Sequence, residues 1–167
     1  IKLDCITISK KQLDFTKKRI FNAGLNEKVD IKFLDYRDLK GKYDSIASIE
    51  MIEAVGEKYL DKSFSTIKEN LKLGGIGAIQ AIIIKDELFE RYRKNEDFIQ
   101  KYIFPGGFLP SLHSIKDHCK KSGLELTSYN SYGSHYSSTL KEWRGNFTKS
   151  WNDISKQGFD LSFKKIW

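Results

Sequence analysis

Two carboxylates stand in an apolar stretch where a negative charge is costly to place. Glu50 and Glu53 lie within Ile49-Glu50-Met51-Ile52-Glu53-Ala54-Val55-Gly56, directly after a predicted strand. Apolar neighbours flank Glu53, so we expect it to be partly desolvated and to need a partner, which is typical of groups that handle protons. The alternative is a glutamate in the first turn of a helix, where the helix dipole favours a negative charge. The residues themselves leave both interpretations open.

Gln80 and the pair His135-Tyr136 are the other polar groups at positions suited to chemistry. Gln80 interrupts the apolar run from Ile76 to Ile84, and an amide buried in a strand needs partners for its donors and its acceptor. It could instead end the strand and bond to loop backbone. His135 and Tyr136 follow a predicted strand and precede Ser137-Ser138-Thr139-Leu140. They are either a site pair or a helix cap, and the cap is the favoured alternative.

Other chemistries lack their motifs. The three histidines, His113, His118 and His135, have neither HExxH nor paired metal-ligand spacing with the cysteines, so we predict no metal. GxSxG, P-loop and GxGxxG motifs are also absent. Hydrolase-elbow and nucleotide-phosphate functions are therefore not indicated.

The elements that would position these groups alternate between strand and helix. Ser9 is predicted to cap a helix over 10–23, and apolar residues at helical spacing predict a second helix from Leu60 that ends at Gly74-Gly75. The last strand is apolar on both faces, as in a buried parallel sheet. This alternation predicts a doubly wound α/β sheet. Its strands are expected at 3–8, 29–35, 45–49 and 77–84.

A change of rhythm after Ile84 predicts an insertion over the sheet, residues 85–110. It has an aromatic-rich helix over 87–102 and an apolar loop over 103–110. Ligands of open α/β sheets bind beyond the carboxyl ends of the strands, so this insertion is a candidate substrate lid. The alternative is a helical hairpin that completes the core. A helix over 111–121 and a strand over 124–132 are expected to follow.

Composition limits the class of protein. The chain has 167 residues and a net charge of +7, which suits nucleic acid, a membrane surface or an anionic substrate. No nucleic-acid-binding motif accompanies the basic residues, so we predict no nucleic-acid partner. The longest apolar run is far shorter than the ~20 residues that a membrane helix needs. Cys5 and Cys119 lack disulfide or CxxC spacing, which indicates a reducing compartment, the cytoplasm.

Five strings in order along the chain resemble the cyclopropane-fatty-acyl-phospholipid synthases, relatives of the mycolic acid cyclopropane synthases. The resemblance covers essentially the whole chain, and the strings at 102–111 and 135–143 are the most specific. The strings are Ile6-Thr7-Ile8-Ser9-Lys10-Lys11-Gln12, Asp35-Tyr36-Arg37-Asp38, Ser48-Ile49-Glu50-Met51-Ile52-Glu53-Ala54-Val55-Gly56, Tyr102-Ile103-Phe104-Pro105-Gly106-Gly107-Phe108-Leu109-Pro110-Ser111 and His135-Tyr136-Ser137-Ser138-Thr139-Leu140-Lys141-Glu142-Trp143.

The resemblance implies a class I S-adenosylmethionine-dependent methyltransferase fold and addition of a methylene across a cis double bond of a phospholipid acyl chain. It implies a bicarbonate ion, held by Glu53, Gln80 and Tyr136, as the base that closes the ring. Gln80 stands where many members have His. The residues implied to bind the cofactor are Thr7, Ser9, Gln12, Tyr36, Arg37 and Ile49, and those implied to form the lid are Phe104, Gly106, Gly107, Leu109 and Trp143.

The resemblance also bears on the extent and setting of the protein. The chain begins at Ile1 without Met and ends within a predicted helix, so we expect a partial methyltransferase domain, 1–167, whose glycine-rich cofactor loop precedes Ile1 and which alone is inactive. The implied partners are unsaturated phospholipids at the inner face of the membrane, with a homodimer left open. The alternatives are a methyltransferase of another lipid or small molecule and an inactive lipid-binding relative.

Overall fold

A computed structural model describes all residues, 1–167, in two compact units. The first unit comprises residues 1–94 and 106–125, and the second comprises 95–105 and 126–167. The segment predicted as an insertion, 85–110, is thus divided between them. Whether that segment forms a lid stays a prediction.

Four parallel strands form the sheet structure of the first unit; three lie close to their predicted positions, whereas the fourth, predicted at 77–84, runs from Leu71 to Gln80. β1 pairs with β2 and β3 pairs with β4, in two separate two-stranded sheets. We expected one continuous sheet, and this expectation is wrong. β1 and β3 do not pair with each other, so each has one edge that forms no ladder with another strand. The Tyr43 hydroxyl donates to Asp4 Oδ2 over 3.1 Å and links the two pairs. The strands are β1 (Leu3–Thr7), β2 (Val29–Phe33), β3 (Tyr43–Ile49) and β4 (Leu71–Gln80).

Two helices of the first unit begin at serine caps. Ser9 caps the first helix by accepting from the Gln12 N–H over 3.3 Å, and Ser111 caps the last by accepting from Ser114. These helices are α1 (Lys10–Asn22), α2 (Ile52–Val55), α3 (Leu60–Asn70), α4 (Asp86–Lys94) and α6 (Leu112–Lys121), with 3₁₀ turns at Tyr36–Asp38 and Glu57–Tyr59.

The second unit is helical. The predicted helix over 87–102 is two helices, because Asp97 starts a new one with a reciprocal capping box to Gln100. The predicted strand over 124–132 is absent: these residues form no backbone ladder. His135 and Tyr136 are not a cap, since they lie inside a helix whose cap is Tyr132. The helices are α5 (Phe98–Tyr102), α7 (Gly133–Lys149), α8 (Trp151–Ser155) and α9 (Leu161–Ile166). No helix in either unit is both long enough and apolar enough to span a bilayer.

The junction between α3 and β4 differs from the sequence-based expectation. The helix ends at Asn70 rather than at Gly74-Gly75, and Leu71 already pairs with Tyr43. The next paired positions are Ser45 and Ile76, so the residues between Leu71 and Ile76 bulge out of the ladder. The prediction extended the helix through Leu71 because this residue continues the apolar spacing of α3. Its side chain is buried, which suits a helix and a strand equally well.

Only one face of the β3–β4 pair is covered, so the prediction of a strand buried on both faces is wrong here. The covered face carries Ser48, which is buried, and Gly77, which lies against Ile67 of α3. The opposite face carries Ile76, which is 70% exposed, and Gln80. Because successive side chains of a strand point to opposite faces, this alternation decides which of them are exposed to solvent.

Replacing Gly75 by alanine tests the bulge. A Cβ at Gly75 would lie 3.0 Å from two backbone oxygens, those of Asp44 and Lys72, which cannot rotate away. We expect Gly75→Ala to lower the free energy of unfolding by about 1–3 kcal/mol, measured by urea denaturation. Gly77→Ala is the matched control, because its Cβ would meet Ile67 at an ordinary 3.5 Å. Equal destabilisation by the two substitutions would contradict the described bulge.

Candidate active site

The carboxyl ends of β3 and β4 bring Glu50 and Gln80 together. Ile49 is in register with Gln80, and the Glu50 N–H donates to the Gln80 carbonyl over 2.9 Å. The chain then leaves β3 through Met51 and begins α2 at Ile52, which is fully buried. This turn places Glu50 and Glu53 beside the residues that follow β4.

Glu53 is held by two hydrogen bonds, and one of its carboxylate oxygens is left without a partner. Its Oε1 accepts from the Ile82 N–H over 2.5 Å, and its backbone carbonyl accepts from the Phe108 N–H over 2.8 Å. Its Oε2 is buried and has no hydrogen-bond partner. Both interpretations of Glu53 therefore hold, since it lies in the first turn of α2 and is also partly desolvated. A buried carboxylate oxygen with unused acceptor capacity is a functional-site candidate.

The surroundings of Glu53 are apolar. Ile52 and Phe108 belong to a buried cluster with Leu60 and Tyr92, and Met51, Val55, Ile79 and Leu109 pack against it. The Leu109 N–H donates to the Tyr92 hydroxyl over 3.0 Å, which fixes the end of the loop against α4. This part of the 85–110 segment completes a core, as the helical-hairpin alternative predicted. It also restricts water around the carboxylate.

Gln80 lies on the exposed face rather than in a buried strand. It is the last residue of β4, as the alternative predicted, but its Nε2 donates to a side chain, Glu50 Oε1, over 3.1 Å rather than to loop backbone. Ile49, which the resemblance implies binds the cofactor, is 61% exposed on the same face. The Ser48 hydroxyl on the covered face is buried and without a partner. Neither Ser48 nor Glu50 had a predicted role, although Glu50 was visible in the sequence as a carboxylate in an apolar run.

The predicted cofactor residues at the end of β1 form one hydrogen-bonded group. The Thr7 hydroxyl donates to Gln12 Oε1 over 2.8 Å and accepts from the Ser9 N–H over 3.1 Å. Occupation of Oε1 leaves the amide hydrogens of Gln12 available to donate to a ligand. Ser9 serves as the cap of α1, a structural role. The group thus presents donors beyond the carboxyl end of a parallel strand, where ligands of such sheets bind.

Asp35 fixes the other predicted cofactor residues at the end of β2. It accepts from Arg37 Nε over 2.9 Å, from Arg37 Nη2 over 2.7 Å and from the Arg37 backbone N–H over 2.9 Å. The Arg37 guanidinium also lies 5.8 Å from the centre of the Tyr59 ring. These contacts hold the 3₁₀ turn that carries Tyr36, whose hydroxyl pKa is raised by burial. The bidentate pair with Arg37 holds the pKa of Asp35 below its usual range.

The remaining predicted residues fall into different units. Gly106, Gly107 and Leu109 belong to the first unit, and Phe104, 61% exposed, belongs to the second. The second unit also contains Tyr136 and Trp143, whose ring centres are 6.2 Å apart on α7. Their roles stay predictions.

The parallel α/β architecture with functional groups at strand carboxyl ends defines a Rossmann-like protein, and the fold is that of the S-adenosylmethionine-dependent methyltransferases. The sequence model of the mycolic acid cyclopropane synthetase family matches residues 1–167, and the chain belongs to that family. The predicted fold class and the resemblance are confirmed.

Relatives in this family carry different activities. The chain is 38% identical to tuberculostearic acid methyltransferase UfaA1 of Mycobacterium tuberculosis over 97% of its length and 38% of that protein's. It is 33% identical to the cyclopropane-fatty-acyl-phospholipid synthase of Escherichia coli K12, covering 96% of this chain and 40% of that one. It therefore spans about two fifths of the relatives' length. Mycolic acid cyclopropane synthase CmaA1, solved with SAH and CTAB, superposes with a TM-score of 0.81 at 22% identity, over 98% of this chain and 60% of that one.

Titration of Asp35 tests the geometry of the Arg37 pair. Because the pKa of Asp35 is lowered in the folded protein, the pair contributes stability above the unfolded value of 3.8 and loses it as pH falls through the folded value. Carboxyl ¹³C NMR should show Asp35 titrating below 3.8, and Arg37→Met should raise its pKa towards that value. Lys40→Met removes the charge of a neighbouring exposed residue and should leave the pKa of Asp35 unchanged. An unaltered Asp35 titration in Arg37→Met would contradict the pair.

Proposed function

We propose that the full protein transfers a one-carbon unit from S-adenosylmethionine to the cis double bond of an unsaturated phospholipid acyl chain and closes it to a cyclopropane. Glu53 carries this proposal, because its buried Oε2 has acceptor capacity that nothing in the first unit uses. Membership of the family supports a methyltransferase acting on a lipid. The Escherichia coli relative supports a phospholipid as the substrate.

The chemistry requires an apolar site with one proton acceptor. An alkene is a weak nucleophile, so the methyl group of the sulfonium has to be held close to it and aligned. Attack produces a carbocation, and water must be excluded because it would trap that cation. The cluster of Ile52, Tyr92 and Phe108 around Glu53 supplies such surroundings. Ring closure then needs removal of a proton from the transferred methyl group.

The cofactor side is proposed to lie at the ends of β1 and β2. Gln12, with its carbonyl oxygen occupied by Thr7, offers amide hydrogens to ribose hydroxyls. Tyr36 and Arg37, fixed by Asp35, offer a ring and a planar cation beside the adenine. S-adenosylmethionine binding is supported by the CmaA1 complex with SAH.

The resemblance implies a bicarbonate ion, and two side chains at the strand ends have hydrogen-bonding groups suited to it. Glu53 Oε2 can accept the hydroxyl hydrogen of the ion, and Gln80 has a second Nε2 hydrogen to donate to an oxyanion. Bound there, bicarbonate would supply a base for ring closure. Since two anions repel, a shared proton or the positive sulfonium has to compensate. The role of Tyr136 in holding the ion rests on the resemblance.

A second candidate is methyl transfer without ring closure, in which the carbocation loses a proton to give an unsaturated chain that carries a methyl or methylene branch. The relative that forms tuberculostearic acid favours it. The two activities share the first steps and differ in the fate of the carbocation.

An assay of the full protein with methyl-labelled S-adenosylmethionine and phospholipid vesicles tests the proposal. We expect oleoyl lipid to gain one CH₂, with the upfield proton NMR signals of a cyclopropane, while saturated lipid stays unlabelled. A methyl-branched product would support the second candidate, and no labelled lipid would contradict both.

The net charge of +7 predicts that the protein binds anionic vesicles more strongly than zwitterionic vesicles and that salt weakens this binding. This attraction is the proposed basis for association with the inner face of the membrane.

Comparison of two variants separates the cofactor side from the proton-accepting side. Glu53→Gln in the full protein should leave S-adenosylmethionine binding nearly intact and lower kcat by ~10²–10⁴, the usual effect of losing a positioned base. Gln12→Ala should mainly weaken cofactor binding, measured by calorimetry. Glu27→Gln is the control, because Glu27 is exposed in the turn before β2. If Glu53→Gln abolished binding while Gln12→Ala left it intact, the two sides would be wrongly assigned.

A further inference from the structure

Glu50 has a backbone conformation that few side chains adopt. Its φ is +46°, and it is the one non-glycine residue of the chain with a positive φ. This left-handed region costs free energy for any residue with a Cβ, so glycine would be the relaxed choice there. Such strain persists where the surrounding structure holds it, and it concentrates at functional sites.

The contacts of Glu50 are directed at Gln80. Its N–H donates to the Gln80 carbonyl, and its Oε1 accepts from Gln80 Nε2 over 3.1 Å. Both residues are exposed, so no packing fixes the orientation of the amide. A carboxylate can only accept a hydrogen bond, and it therefore selects the orientation in which Nε2 faces Glu50 and Oε1 faces away. The charge also makes this bond stronger than one between neutral groups.

We propose that Glu50 is a positioning residue that holds the Gln80 amide in one orientation for the reaction. The inference rests on the proposed function, in which Gln80 borders the reacting groups. The orientation leaves one Nε2 hydrogen and the Oε1 acceptor of Gln80 for a ligand. Glu50 itself acts through Gln80 and has no direct part in the chemistry.

Glu50→Gly in the full protein separates positioning from a structural role, because it removes the carboxylate and relieves the backbone strain together. We expect an unchanged or higher Tm, an unchanged KM for S-adenosylmethionine and a kcat lower by about 10–100-fold, the scale of a misplaced reacting group. The amide introduced by Glu50→Gln can still accept through its own Oε1 in one of its two orientations. The kcat of this variant should therefore lie between those of the original protein and Glu50→Gly. Glu27→Gln should match the original protein in all three quantities.

A double-mutant cycle shows whether the effect passes through Gln80. With Gln80→Ala already present, Glu50→Gly should lower kcat no further. Additive losses, an unchanged kcat in Glu50→Gly, or a loss of kcat that follows a fall in Tm would each overturn the proposal.

Side-chain amide NMR gives a test that does not depend on activity. In glutamine-¹⁵N-labelled full protein, with Gln80 assigned through Gln80→Met, one Nε2 proton should be shifted downfield by the carboxylate, and Glu50→Gly should abolish the shift. If the original protein gave no labelled lipid while this shift was present and lost in Glu50→Gly, the proposed function would fail and the fixed amide would stand. An unaltered Gln80 resonance in Glu50→Gly would overturn the positioning role whatever the activity.

Discussion

The parallel pairing of β3 with β4 is the constraint on which the candidate site depends. Ile49 opposite Gln80 ends both strands at the same level, so the turn into α2 and the residues after β4 meet there. A slip of one residue would exchange the two faces of β4 and turn Gln80 away from Glu50. The bulge between Leu71 and Ile76 adjusts the start of β4 so that this register is reached.

Carboxylates in the first unit differ in how fully they are paired. Asp35 accepts three hydrogen bonds from Arg37, and Asp61 accepts from His118 over 2.6 Å, with the His118 ring stacked on Phe64. The pKa of each aspartate is lowered, that of Asp35 by its hydrogen bonds with Arg37 and that of Asp61 by its hydrogen bond with His118. Glu53 has one backbone donor and one buried oxygen without a partner. That difference distinguishes carboxylates held by side-chain partners from a carboxylate that keeps unused acceptor capacity.

Cyclopropanation and methyl branching require the same scaffold up to the carbocation. Aligning the sulfonium with the alkene and excluding water serve both products, which explains why relatives with different products share this sequence pattern. The product is decided by what removes a proton, and from where. In the proposed function, this choice is made at the polar set at the ends of β3 and β4, which includes the Glu50–Gln80 contact.

The sequence by itself determined the strand and helix order of the first unit and the cap at Ser9, because periodicity and capping are local properties. Its ordered strings also determined the family. Tertiary structure decided that Gln80 is exposed and held by Glu50, that Glu53 keeps one oxygen free, and that residues 124–132 form no strand. Those outcomes depend on which elements cover a face and which backbone donors arrive from distant residues. Apolar composition in 77–84 could not reveal that only one face is covered, since burial belongs to the assembled elements and not to the strand.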